Sequence, residues 1–276
     1  MSGAALAEIR EAEAPPAIAA IYAALNEGIG IGQVNLIWRH AAALPGVLDW
    51  LWAQAAPALA SGAAAAARDG IAAAITLPTP AAIPKPQDHA ALAGLVDIYN
   101  RGNLTNLALL SAILLHQQGM APGVPLPSAP RGAMLSAPPP LPRLLGLPGA
   151  QQAQIRALTA AHGLSDAAVV PSLYLHLALW PDFLALLPEL LAPLQADRGL
   201  VRARDAAVAA ARHTAPGLIA ALGAAPAPPA RLPEFLTRLE VFVREVIPGM
   251  VPVGLFLRRA LATAPSGRSD DGFRFR

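Results

Sequence analysis

Cysteine is absent from the 276 residues, which excludes disulfides and thiol catalysis and suits a reducing compartment, by default the cytoplasm. Charge is scarce at 14%, and lysine occurs once, as Lys85, so the pI near 9.5 reflects arginine on a chain of net charge +2. Five arginines (Arg258, Arg259, Arg268, Arg274, Arg276) sit in or beside the C-terminal tail, and no basic stripe is interleaved with aromatics. A nucleic-acid partner is not expected. No charged n-region followed by an apolar h-region opens the sequence, whose start from Glu8 to Glu13 is acidic, so an unsecreted protein is expected. Apolar runs such as Leu104 to Leu115 are too short to span a bilayer, so no membrane partner is expected either. A nucleotide-binding glycine loop, a Ser-His-Asp order, a nucleophile elbow and metal-ligand spacing are all missing. No cofactor and no metal are expected.

Alanine and leucine dominate what is present, at 55% hydrophobic residues and only 5% aromatics, a bias that favours helix over strand. The reading is an all-α protein. Sliding the sequence against itself gives one persistent offset, 136 residues: Val34 to Ile75 aligns without a gap onto Val170 to Ala211, with 14 identities in 42 positions. Alanine coincidences are cheap here. The weight falls on His40/His176, Pro45/Pro181, Leu48/Leu184, Pro57/Pro193 and the triplet Ala67-Arg68-Asp69 against Ala203-Arg204-Asp205. Residues 121–150 carry nine prolines and almost no charge, the composition of an extended polyproline II connection. The expected organisation is a first helical repeat over 1–120, a Pro-rich linker over 121–150, a second repeat over 151–265 and a flexible basic tail over 266–276. Two tandem repeats that bury apolar faces against each other form an intramolecular pseudo-dimer, with a pocket on its axis. A homodimer of whole chains is a further option.

Within each half, Gly102-Asn103 and Pro248-Gly249 read as breaks where one helix ends and the next begins. Asn35 and Ser172 each open an apolar helix, Ser172 behind Pro171; helix capping and pocket lining are both open to them. The run Tyr99-Asn100-Arg101-Gly102-Asn103-Leu104-Thr105-Asn106 holds three amides and a hydroxyl, more polar chemistry than caps at a junction require, and suits an anionic ligand such as a carboxylate. His40 and His176 occupy equivalent positions and could approach across a twofold, but they lack further ligands for a metal, and surface or partly packed histidines are the expectation. In Arg68-Asp69 and Arg204-Asp205 adjacent residues point about 100° apart on a helix, so each is expected to find another partner in a structural ion pair.

The sequence resembles the group I (DehI-type) 2-haloacid dehalogenases over nearly its whole length. The resemblance rests on Tyr99-Asn100-Arg101-Gly102-Asn103, similar to that family's aromatic-Asn-x-Gly-Asn run, and on Ser172-Leu173-Tyr174 followed by Trp180-Pro181, similar to its Ser-Asp-aromatic run followed by Trp-Pro; Arg39 and Pro45-Gly46 also fit. It implies an all-helical pseudo-dimer with the site between repeats, in which an Asp directly after the Ser activates water to displace halide from C2 of a 2-haloalkanoic acid, giving the 2-hydroxy acid with inversion. That position is Leu173 here, which takes no proton. Asn106 stands where the family's motif has an aromatic. Ligand-binding candidates are Ser172, Tyr174, Asn103, Asn106, Asn35 and Trp38, with a small carboxylate as the partner and no residue assigned to catalysis. Two functions stand: a hydrolase of carbon–halide bonds, using a displaced base such as Asp182 or His176 or acting on another substrate, and a non-catalytic protein that binds a small carboxylate or apolar ligand.

Overall fold

A computed structural model describes residues 6–164 and 169–263; the basic tail expected over 266–276 lies outside them. Among the described residues all regular structure is helical. The first half runs through α1 (Pro16–Ile29), α2 (Leu36–Ala42), α3 (Val47–Ala60), α4 (Ala63–Ala74) and α5 (His89–Gln117). The second runs through α6 (Gly149–Ala160), α7 (Ser172–Leu177), α8 (Pro181–Gln195), α9 (Gly199–Ile219), α10 (Leu232–Val241) and α11 (Ile247–Thr263). The starts of α2 and α7, and those of α4 and α9, lie 136 residues apart in the chain (172 − 36 and 199 − 63).

The core is organised on α5. Every residue from Gly102 to Leu114 is buried, as a helix must be when it is apolar on all sides. It packs against α4, α9 and α11, and α4 in turn packs against α9. The buried faces of α4 and α9 are rich in alanine (Ala63, Ala64, Ala67; Ala203, Ala207, Ala211), and side chains this small bring helix backbones close together. At the crossing of α5 and α11, Asn100 Nδ2 donates to the carbonyl of Gly254 at 3.1 Å.

Two helix junctions differ from the sequence reading. Gly102-Asn103 breaks nothing: α5 is one helix of 29 residues. The glycine serves a close approach, since a Cβ at Gly102 would stand 3.0 Å from Ile31 Cδ1. In the second half the chain makes a π turn over Phe242–Val246 before Pro248. A proline has no N–H to give to the carbonyl four residues back, here Arg244, so the widened turn falls where the α-helical ladder is already interrupted.

Residues 121–143 contain no helix and form a strap that touches both halves. Gly123 N donates to Pro216 O, Ala129 N to Gly62 O and Leu135 N to Gly30 O. Arg68 holds the carbonyls of Pro130 and Arg131, and Arg101 holds those of Gly30 and Ala133. Arg68 also pairs with its neighbour Asp69 at 2.7 Å, and Arg204 with Asp205 at 3.3 Å, so the adjacent residues are each other's partners after all. Long arginine stems bend enough to close the angle their Cβ atoms set.

Candidate functional site

A cavity of about 60 Å³ lies where the two halves of the chain meet. The first half contributes Gln33, Asn35 and Leu36 from the entry to α2, and Tyr99 and Asn103 from one face of α5. The second contributes residues 169–173 at the start of α7, with Phe242, Val246, Ile247 and Met250 from the π turn and the first turn of α11. Tyr99 and Asn103 are four apart, which puts both on the same face of a continuous helix. The misread junction is therefore a cavity wall.

The hydrogen bonds of this wall have a fixed direction. The carbonyl of Pro139, in the strap, only accepts, so His176 Nε2 carries the proton it donates at 2.8 Å. With Nε2 protonated on a neutral ring, Nδ1 accepts, and Tyr99 donates its hydroxyl proton there at 2.6 Å. The Tyr99 oxygen then accepts from Gln33 Nε2 at 3.4 Å and is also hydrogen-bonded to the Ser172 side chain. Burial pushes the Tyr99 phenol well above its usual pKa, against lowering by the Gln33 and Ser172 hydrogen bonds and the Arg39 charge. Burial lowers His176, partly offset by the Pro139 carbonyl. A neutral His176 accepting from Tyr99 is the state both shifts favour.

Asn35 fulfils both roles left open to it. As N-cap of α2 its Oδ1 accepts from Ile37 N at 3.2 Å, and its Nδ2 reaches Asn103 Oδ1 at 3.5 Å. Asn103 Nδ2 is left to donate elsewhere. Deeper in, Trp38 Nε1 donates to Asn106 Oδ1 at 2.7 Å. Ser172 is the first residue of α7, with Pro171 ahead of it as the cap position, and lines the cavity beside Leu173.

The sequence candidates thus divide. Asn35, Asn103 and Ser172 face the main cavity, and Asn106 walls a smaller chamber beside it. Trp38 does not line either; it is fully buried and acts through Asn106. Tyr174 turns away, its hydroxyl 2.7 Å from His162 Nε2. Asp182 is exposed on the first turn of α8 and walls a separate surface cavity with Lys85 and Trp180. Both repeated histidines are buried rather than at the surface, and each has its own partner: His40 donates from Nδ1 to Ala7 O and stacks on Phe235, while His176 serves Tyr99. Gln33 and Tyr99 were not among the candidates. The signal for Gln33 was one amide between glycines and an apolar run; for Tyr99 it was the aromatic that opens the motif.

Among the described residues that line the cavity there is no carboxylate, no histidine and no cation. Nor do the described residues contain a group of three or more His, Cys, Asp or Glu placed to hold a metal. No helix among them is long and apolar enough to cross a membrane.

Fold and cavity together define an all-helical scaffold with a small, neutral, amide-lined pocket between its halves. The scaffold is that of the D-2-haloacid dehalogenases, in a divergent form. A D-2-haloacid dehalogenase mutant superposes with a TM-score of 0.76 at 16% identity, over 95% of this chain and 97% of that one. A mutant in complex with D-2-CPA gives 0.74 over 96% and 98%, and an enzyme in complex with L-LA gives 0.74 over 95% and 98%, both again at 16% identity. No family model and no curated protein matches the chain.

Proposed function

We propose that this chain binds a small carboxylic acid in the cavity between its halves and does not hydrolyse carbon–halogen bonds at an ordinary enzymatic rate. One observation carries the reading: Leu173, at the position where the family resemblance calls for a water-activating Asp, lines the cavity, and no other described lining residue is a base. Losing a positioned general base costs a factor of about 10²–10⁴. His176 does not replace it directly, because its Nδ1 is occupied by the Tyr99 hydroxyl and its Nε2 by the Pro139 carbonyl.

Neutral donors remain to receive a carboxylate, Asn103 Nδ2 above all, and the apolar side formed by Phe242, Val246 and Met250 suits a short alkyl chain. The two halves supply opposite walls of this site, as expected of two tandem copies arranged as a covalent pseudo-dimer. The test is halide release from D- and L-2-chloropropionate, followed with a halide electrode alongside calorimetric binding of the same acids. Binding without halide is expected. Turnover at an ordinary rate would overturn the proposal.

A further inference from the structure

A surface groove of about 380 Å³ opens between α5 and α9 and shares no lining residue with the main cavity. Ser111, Leu114 and Leu115 enter it as one stripe of α5, and Asp205, Val208 and Arg212 as one stripe of α9, each at helical spacing. The π turn walls both spaces: Phe242 and Val246 line the main cavity, Val243 and Arg244 the groove. The two long helices finish close together, since Gly123, just past the end of α5, donates to the carbonyl of Pro216, one turn beyond Arg212. Arg212 therefore stands towards the end of the groove where α5 finishes. Asp205 lies two turns back on α9, about 10 Å along the helix axis, and Ser111 lies a similar distance back along α5.

Each end has its own chemistry. Asp205 is held by Arg204 at 3.3 Å and Arg244 by Glu240 at 2.9 Å, whereas Arg212 pairs with no carboxylate among the described residues. An anion is drawn to the Arg212 end, away from the Asp205 carboxylate. At the other end Ser111 is 7% exposed, and its hydroxyl has no hydrogen-bond partner among the described residues without being sealed from solvent. A helical serine or threonine can satisfy itself on the carbonyl four residues back, as Thr159 does on Ile155 at 2.8 Å. Ser111 does not, and native proteins leave few buried polar groups unpaired. Between the ends Leu114, Leu115, Val208 and Val243 form an apolar floor. We propose that the groove is a second binding site, for a phenolic carboxylate whose acid group pairs with Arg212, whose ring lies on this floor and whose phenol oxygen meets Ser111. A rigid ring covers a span of about 10 Å with little conformational freedom to lose, which a flexible chain does not.

Calorimetric titration of the full chain with 3-(4-hydroxyphenyl)propionate, 3-phenylpropionate and 3-(4-hydroxyphenyl)propan-1-ol tests it. The phenolic acid is expected to bind roughly three- to tenfold more tightly than either of the others, one of which lacks the phenol oxygen and the other the charge. Ser111→Ala, which removes a hydroxyl that bonds nothing in the protein, should erase the preference over 3-phenylpropionate and leave that over the alcohol. Arg212→Gln should do the reverse. Neither residue lines the main cavity, so preferences that survive both substitutions would place the ligand elsewhere and overturn the proposal. Equal affinity of the native protein for the two acids would mean that water fills the space at Ser111, and would overturn the phenol as the ligand class. If none of the three binds, the groove is no binding site for this class and the proposal falls, with the acid site of the main cavity untouched.

Discussion

The hydroxyl of Tyr99 lies 2.6 Å from Nδ1 of His176, joining the central helix of the first half to α7 of the second across 77 residues of sequence. Both groups are buried, so neither end of the bond has water to fall back on. Through Pro139 O on one side and Gln33 and Ser172 on the other, the pair ties the strap, α7 and the cavity wall into one directed chain.

Tyr99→Phe removes the hydroxyl while keeping the ring, and leaves His176 Nδ1 as a buried acceptor without a donor. A destabilisation of about 1–3 kcal/mol is expected, read as a lower urea midpoint with an unchanged m-value. An unchanged midpoint would mean that water reaches His176.

Acid should weaken the fold through its buried histidines. Burial, with a smaller contribution from the Arg204 charge, lowers His162 from 6.5 to about 4. The folded state then binds fewer protons than the unfolded state between those values, so this contribution to stability is complete above pH 6.5 and is lost as pH falls towards 4. Its full extent is about 3 kcal/mol. His176 is shifted in the same direction by burial and adds to the effect. Urea midpoints measured from pH 7.5 to 4.5 should fall for the native protein and fall less for His162→Gln; parallel curves would show that His162 is not responsible.

Leu173→Asp restores a carboxylate to the cavity wall. Leu173 is 1% exposed, so the new carboxyl stands in an apolar setting that raises its pKa and lowers the stability of the fold. Halide release from 2-chloropropionate is expected to rise by a factor of about 10² or more over the native protein. A variant that folds and binds the acid yet releases no halide would show that residue 173 does not face the reacting carbon.

Gly254→Ala sets helix propensity against packing. Inside a helix the change to alanine is favourable by about 1 kcal/mol. Here the new Cβ would stand within overlap distance of Asn100 Oδ1. Asn100 is buried and bonded to the Gly254 carbonyl itself, so it has no free direction in which to withdraw. Net destabilisation of about 1–3 kcal/mol is expected from overpacking; a raised melting temperature would show that the crossing of α5 and α11 has slack.

The helical class, the N-cap at Asn35 and a cavity between the halves were legible, because composition, cap chemistry and a long-range offset each speak through local residue types. The polar run at 99–106 misled. Glycine and amides mark helix ends when water takes the unpaired backbone groups, but the same residues mark a close approach and a polar cavity when the helix continues through the core. Only the burial of both flanks decides, and burial is a property of the whole fold. The Tyr99–His176 pair was illegible for a similar reason: neither residue is unusual in its own segment, and the strap carbonyl that fixes the histidine's tautomer is contributed by a linker with no chemical motif. Gln33 carried too faint a signal to single out, although it lines both the main cavity and the smaller chamber beside it.

The π turn at Phe242–Val246 amounts to one extra residue wound into a helix. Winding the same five residues as ordinary α-helix, with none removed, would rotate everything downstream by about 100°. Ile247 and Met250 would leave the cavity, and Gly254 would swing off Asn100, where a bulkier neighbour would meet α5. The register of the last helix, and with it both the pocket wall and the central crossing, is therefore held by this one widened turn.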